Sequence, residues 1–178
     1  MNRHMLATIV RLSESNEDAG HKVAMQVAAM KPIALDEASV PQSVKDEELK
    51  VAIEKTKEEQ VEKAVVNAIK KAGVNPNLVD SEDHIESNIK KGWLTPEDAE
   101  KAREIRAKVG AEKAANLPEQ MVQNIAKGRL NKFFKESCLV DQEFQFGDGD
   151  KLNVAQWLQA QSKTLAVCDY RRYSLSAE

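Results

Sequence analysis

Aromatic side chains are scarce in these 178 residues, at 4% of the composition, and they are unevenly placed. All four phenylalanines fall between positions 133 and 146, and Trp93 is the one aromatic residue before Phe133. Aromatic rings bury more area than other side chains, so the compact core should draw on the C-terminal quarter, with something thinner over residues 40–120. Cysteine is also scarce. Cys138 and Cys168 are too few for a disulfide framework in a chain of this length, and reduced thiols are expected. No stretch approaches the roughly 20 apolar residues of a membrane helix, which excludes a span of that kind. The opening MNRHMLATIVRL has some basic charge and a short apolar run, but no small-residue cleavage site follows, so a signal peptide is not expected. An excess of positive charge is missing too. The formal net charge of -3 argues against a broad phosphate-binding surface and hence against a nucleic-acid partner. These absences leave a cytoplasmic protein whose partner is another protein.

What is present reads as strand, helix, helical excursion, short helix and strand. Leu6 to Leu12, LATIVRL, is apolar and β-branched and ends in a polar loop, as a strand does. Residues 18–31 place Val23, Val27 and Met30 at helical spacing, with alanines beside them, Asp18 as the expected cap and Pro32 as the stop. A long helix follows, with Ser43 and Asp46 in capping-box spacing and Val61, Val65 and Ile69 as its stripe. At about 1.5 Å per residue, such a helix outreaches a small core and needs a neighbour to cover the stripe. Candidates for that neighbour are a short helix from Ser81 to Gly92 and another opened by Thr95, Pro96 and Asp98, the cap, first-turn proline and first-turn acid.

A further helix from Pro118 carries Val122, Ala126, Leu130 and Phe133, with Phe133 as the expected core anchor and Phe146 at the edge. Gly128 sits inside that helix, where it reads either as a close backbone approach or as a glycine tolerated on an exposed face. Asn153 caps VAQWLQAQ, and Thr164 to Leu175 is a second strand, the natural partner of the first. The fold expected is α+β: a small antiparallel sheet with packed helices, interrupted by a long antiparallel, coiled-coil-like helical arm. The core would comprise residues 1–42 and 134–178, and the arm residues 43–133.

No catalytic or metal constellation emerges. His4, His21 and His84 lack companions at ligand spacing, and Cys138 lacks a nucleophile signature. FGDGDKLN offers Asp148, Asp150 and Asn153, but not the spacing of a calcium loop. No cofactor is expected. Arg171 and Arg172 read either as a seat for an acidic partner or as the ordinary in-and-out alternation of a strand.

Four blocks in the same order, HKVAMQVAAMKP, the VP at Val40 and Pro41, PEQMVQNIAKGRLNKFFKESCLVDQEF and YRRYSL, resemble bacterial elongation factor Ts. That family carries a helix of the type IAMHVAAxxP, then EGRxxKFxxExxLxxQPF, a short helix and an aromatic, basic final strand. On these motifs the family positions are Ala24, Met25, Ala28, Ala29 and Pro32 in the first block. In the second they are Gly128, Leu130, Lys132, Phe133, Glu136, Leu139, Gln142 and Phe144, and Glu143 stands where the family has proline. The family's glycine-rich N-terminal module and its TDF tripeptide have no counterpart here, and His4 is offset from the family's histidine.

The long arm resembles that of the Bacteroidetes branch. The resemblance implies the C-terminal core and dimerisation region of a factor that promotes GDP/GTP exchange on elongation factor Tu during translation. It implies elongation factor Tu as the partner and a homodimer through the sheet or arm. With the exchange elements missing, this piece is expected to bind without driving exchange. Lys22, Gln26, Lys31, Phe146, Arg171 and Arg172 are the residues expected to meet the partner. The alternative is a self-contained helical interaction module with no role in exchange.

Overall fold

The computed structural model describes residues 5–149 and 151–175, so His4 and Asp150 of the sequence reading lie outside the described residues. The described chain runs β1 (Leu6–Leu12), α1 (Glu17–Met30), α2 (Gln42–Lys71), α3 (Glu82–Lys90), α4 (Pro96–Ala115), α5 (Glu119–Ser137), α6 (Val154–Gln161) and β2 (Val167–Ser174). Short 3-10 turns occupy Glu37–Ser39 and Pro76–Leu78. The fold is α+β, mostly helical, with a two-stranded antiparallel sheet. No helix among the described residues is long and apolar enough to cross a membrane. The described residues form two compact units, one within Met1–Glu48 and Gly128–Glu178, the other within Leu49–Lys127.

Helix starts follow local chemistry. Ser81, Thr95 and Asn153 each accept a hydrogen bond from a backbone N–H of the following first turn. At Asn153 the Gln156 side chain also accepts from the cap's own N–H, at 3.1 Å, closing a capping box. Two caps differ from expectation. In α1 the cap is Asn16, whose carboxamide oxygen accepts from the Ala19 N–H at 3.0 Å, while Asp18 sits in the first turn and pairs with Lys22 at 3.2 Å. Asn16 keeps an extended backbone, as a cap must, and Asp18 is already helical. In α2 the helix begins at Gln42, so Ser43 is inside it and no box with Asp46 forms. Instead the Pro41 carbonyl accepts from Val44 and Lys45, and Gln42 donates to Asp46 at 2.8 Å.

In the first unit β1 pairs with β2 in the register Leu6↔Ser174, Val10↔Tyr170, with an irregularity between Arg11 and Leu12. The strand is shorter than expected at its start because Ser162 to Leu165 closes a turn. Ala19, Val23 and Val27 of α1 pack on Leu139, Phe144, Val154, Trp157, Leu158, Leu165 and Val167. Met30, expected on that stripe, is 40% exposed because the buried period runs 19, 23, 27 and the helix ends before the next turn.

A second cluster joins Ala34 and Val40 to α5 through Phe134 and Cys138, with Val44, Leu130 and Phe133 partly buried beside it. This corrects the expected anchor. Val122, Ala126, Leu130, Phe134 and Cys138 recur every four residues, so Phe134 falls on the buried line and Phe133 beside it. Gly128 is exposed, and a β-carbon there would meet nothing within 4 Å, so it is the tolerated glycine and not a close approach.

In the second unit Val65 and Ile69 of α2 are covered by Ile85 of α3, Ala99 and Ala102 of α4, and Val74, Val79 and Leu94 of the connections. Gly110 of α4 faces α2, where a β-carbon would make ordinary van der Waals contacts with Val65 at 3.7 Å and Val61 at 3.8 Å. Across the same pair Arg106 donates to Glu62 at 2.8 and 3.2 Å. The stripe of the long helix is thus covered by aliphatic residues, without aromatic rings.

Candidate partner interface

Six residues carried the expectation of partner contact, and the first unit distributes them in three places. Gln26 is inside. It is fully buried, donating through Nε2 to Gln142 Oε1 at 3.3 Å and to the Glu143 carbonyl at 3.1 Å, and accepting from the Gln145 N–H at 3.1 Å. Gln142 is buried too and donates to the Glu136 carbonyl at 2.9 Å. A buried carboxamide satisfied on both ends is stabilising where an unsatisfied one would not be. Gln26 therefore fixes the segment 142–145 on α1 and offers nothing to a partner. Its place on α1 between Val23 and Val27 faces the core, whereas its polarity suggested the surface.

Lys22 and Phe146 flank the ring pair Phe144–Trp157, each touching one of the two. Lys22 Nζ lies 5.5 Å from the Trp157 ring centre, Phe144 stacks on Trp157 at 4.4 Å, and Phe146 meets Phe144 edge-on at 6.4 Å. Gly147 allows this. Its β-carbon position is 3.2 Å from Trp157 and 3.3 Å from Phe144. Phe146 is partly buried, as an edge residue should be.

Lys31, Arg171 and Arg172 converge on one cleft of about 620 Å³ between residues 31–35 and β2. Lys31 has φ 47, the left-handed conformation that turns the chain out of α1 into Pro32. Residues 33–35 are held to the end of α5 by Ile33 N–H to Ser137 O, Leu139 N–H to Ala34 O and Val140 N–H to Leu35 O, each 2.9–3.1 Å. On the other wall the Tyr170 hydroxyl donates to the Pro32 carbonyl at 2.7 Å, and burial pushes its pKa up. Asp169 and Arg171 form an exposed pair at 3.5 Å. Sequence reasoning missed Asp169 and Tyr170, whose positions in a strand carry no local signal for a cleft wall.

The family-motif residues mostly build the unit. Leu139, Gln142, Phe144 and Pro32 are buried, and Ala24, Met25, Ala28 and Leu130 are partly so. Thr8 of β1 donates to the Ala24 carbonyl at 3.1 Å, tying the sheet to α1. Ala29, Lys132 and Glu136 are exposed, the last two 3.8 Å apart on α5. The Cys138 thiol is buried and its pKa is pushed up to about 11, first by desolvation and then by Asp141 and other acids nearby, which keeps it protonated. Among the described residues no three acids, histidines or cysteines converge as metal ligands would. The described surface here offers cations, exposed apolar side chains and a strand edge.

The family model described as Elongation factor TS matches this chain over residues 2–80 and 67–177. Elongation factor Ts of Parabacteroides distasonis is 55% identical over 178 residues, covering 100% of this chain and 54% of that protein. That of Phocaeicola vulgatus is 57% identical over 175 residues, covering 98% and 53%. The more distant protein of the same name from Amoebophilus asiaticus is 31% identical over 176 residues, covering 97% and 43%. The chain spans about half the length of the curated relatives it matches.

Proposed function

The chain belongs to the elongation factor Ts family, and from that premise we propose that it acts as the C-terminal core of a cytoplasmic translation factor, docking on elongation factor Tu without itself driving nucleotide exchange. The observation that carries the reading is the extent of the likeness, which runs along the whole chain yet takes in about half of each relative. Promoting GDP/GTP exchange requires tighter binding to the nucleotide-free GTPase than to the loaded one. In the family that preference is attached to elements, the TDF tripeptide among them, that do not occur in these residues. What this piece supplies is a docking surface, with Lys31, Arg171 and Arg172 on one cleft, Lys22 over Trp157 and Phe146 against Phe144. It is a regulator's part and not an enzyme's.

Elongation factor Tu loaded with fluorescent GDP is the direct test. The chain is expected to bind the loaded and the nucleotide-free forms with similar affinity and to leave GDP release at its intrinsic rate. Accelerated release by this chain alone would overturn the docking-only reading. No binding to either form would favour a self-contained helical module.

The same reading includes self-association through the outer face of the sheet, where Ile9 and Tyr173 stand 62% and 58% exposed. Exposed apolar side chains gathered on one face mark contact surfaces. Sedimentation equilibrium should show a dimer that weakens when Ile9 and Tyr173 are both changed to serine. A monomer at high concentration would remove this part of the proposal.

A further inference from the structure

The cleft beside β2 is at the edge of the sheet and not on one of its faces. Five consecutive residues, Cys168 to Arg172, line it, whereas a sheet face would present only alternate ones. None of its lining comes from β1. The hydrogen-bond parity of β2 agrees. Leu175 donates to the Met5 carbonyl at 2.9 Å, which makes Met5 and Leu175 a hydrogen-bonded pair of the antiparallel ladder. Counting back in steps of two along the register, Tyr173, Arg171 and Asp169 bond to β1, so Tyr170 and Arg172 turn their N–H and C=O outward.

At Tyr170 those outward groups are covered by the neighbouring side chains. The Asp169 carboxylate accepts from its N–H at 2.9 Å, and the Arg171 guanidinium donates to its carbonyl at 3.4 Å. Asp169 and Arg171, themselves paired and exposed, clip over the backbone that an added strand would need. Strand edges are commonly guarded by charge in this way. Here, however, the edge also has an opposite wall, fixed to α5, with Ile33 59% exposed on it. The lining carries Lys31, Arg171 and Arg172 against the single acid Asp169.

We propose that the β2 edge is a strand-addition site that takes an extended, acid-bearing segment of the protein partner, whose backbone replaces the Asp169–Arg171 clip over Tyr170. Backbone hydrogen bonds give such a segment its hold, and alternate side chains meet the cationic lining and the apolar wall. The partner's identity rests on the reading above, so elongation factor Tu is the probe.

Residue-resolved amide exchange separates the two ideas. In the complex, the amides of Tyr170 and Arg172 should slow by on the order of tenfold while those of Arg171 and Tyr173, already in the ladder, stay as they are. Arg171→Glu, an exposed substitution, should weaken the complex by on the order of tenfold, and raised salt should weaken the wild-type complex. A complex that forms with Tyr170 and Arg172 unchanged overturns strand addition and leaves docking intact. No complex overturns both. Protection of Tyr170 that grows with the concentration of this chain alone assigns the edge to a second copy and also overturns the proposal.

Discussion

Phe134→Ala is expected to destabilise the first unit by about 3–5 kcal/mol, and Phe133→Ala by only about 1–2 kcal/mol. Phe134 is 5% exposed and packs with Ala34, Val40 and Cys138, so its removal leaves a cavity whose walls belong to two different segments and cannot collapse together. Phe133 is partly buried and meets Phe134 at a ring separation of 5.7 Å, so its truncation opens a site that water and neighbouring side chains can fill. With total stabilities of 5–15 kcal/mol, roughly, the first change takes a large share of the fold and the second does not. Urea unfolding of both variants decides it, read as a shift of midpoint at constant slope. Equal losses, or a larger loss from Phe133, would mean that α5 is rotated from the orientation described.

Gln26→Ala should cost about 3 kcal/mol, an amount a surface glutamine would not approach. Two groups lose their partner, the buried Gln142 Oε1 and the Gln145 N–H, and the Glu143 carbonyl is left with the bond from Gln145 Nε2 at 3.3 Å. Gln142 cannot reach water and bears most of the penalty, whereas Glu143 and Gln145 are exposed residues that water can serve in part. Gln26→Glu should be worse, because it removes both donated bonds and brings a charge into the interior. Amide exchange at Gln145 should speed up in step with the loss of stability, since that N–H is held by Gln26 alone among the hydrogen bonds described. If Gln26→Ala keeps full stability and instead weakens binding to elongation factor Tu, the residue belongs to the surface after all.

These two residues mark where local reading stops. Helix limits at Ser81, Thr95–Pro96 and Asn153–Gln156 were legible because a cap and the amides it serves lie within one turn of sequence. The strand Leu6–Leu12 was legible from its own β-branched run, and the stripe of Val65 and Ile69 from its period. Family membership was legible too, in four blocks kept in order.

Most of what the chain did not reveal depends on residues brought together from far apart, and the start of α1 is the local exception. Asn16 and Asp18 can both cap a helix, and the backbone conformation at residue 16 chooses between them. Phe133 and Phe134 differ by one position, about 100° around α5, and only the placement of Ala34 and Val40 decides which faces inward. Gln26 is polar and sits on a helix, which alone would place it outside. It is buried because Gln142 and Gln145, 116 and 119 residues away, supply the hydrogen bonds that a core would otherwise deny it. Likewise Asp169, Tyr170 and Arg171 are an ordinary strand until β1 takes one edge, residues 31–35 wall the other and a cleft appears between. The sequence by itself determined the elements, the caps at Ser81, Thr95 and Asn153 and the kinship, all set by interactions within a few turns of chain. The tertiary structure alone decided which glutamine is core, which phenylalanine anchors and which strand edge faces the cleft, because burial and satisfaction of polar groups are properties of distant segments in contact.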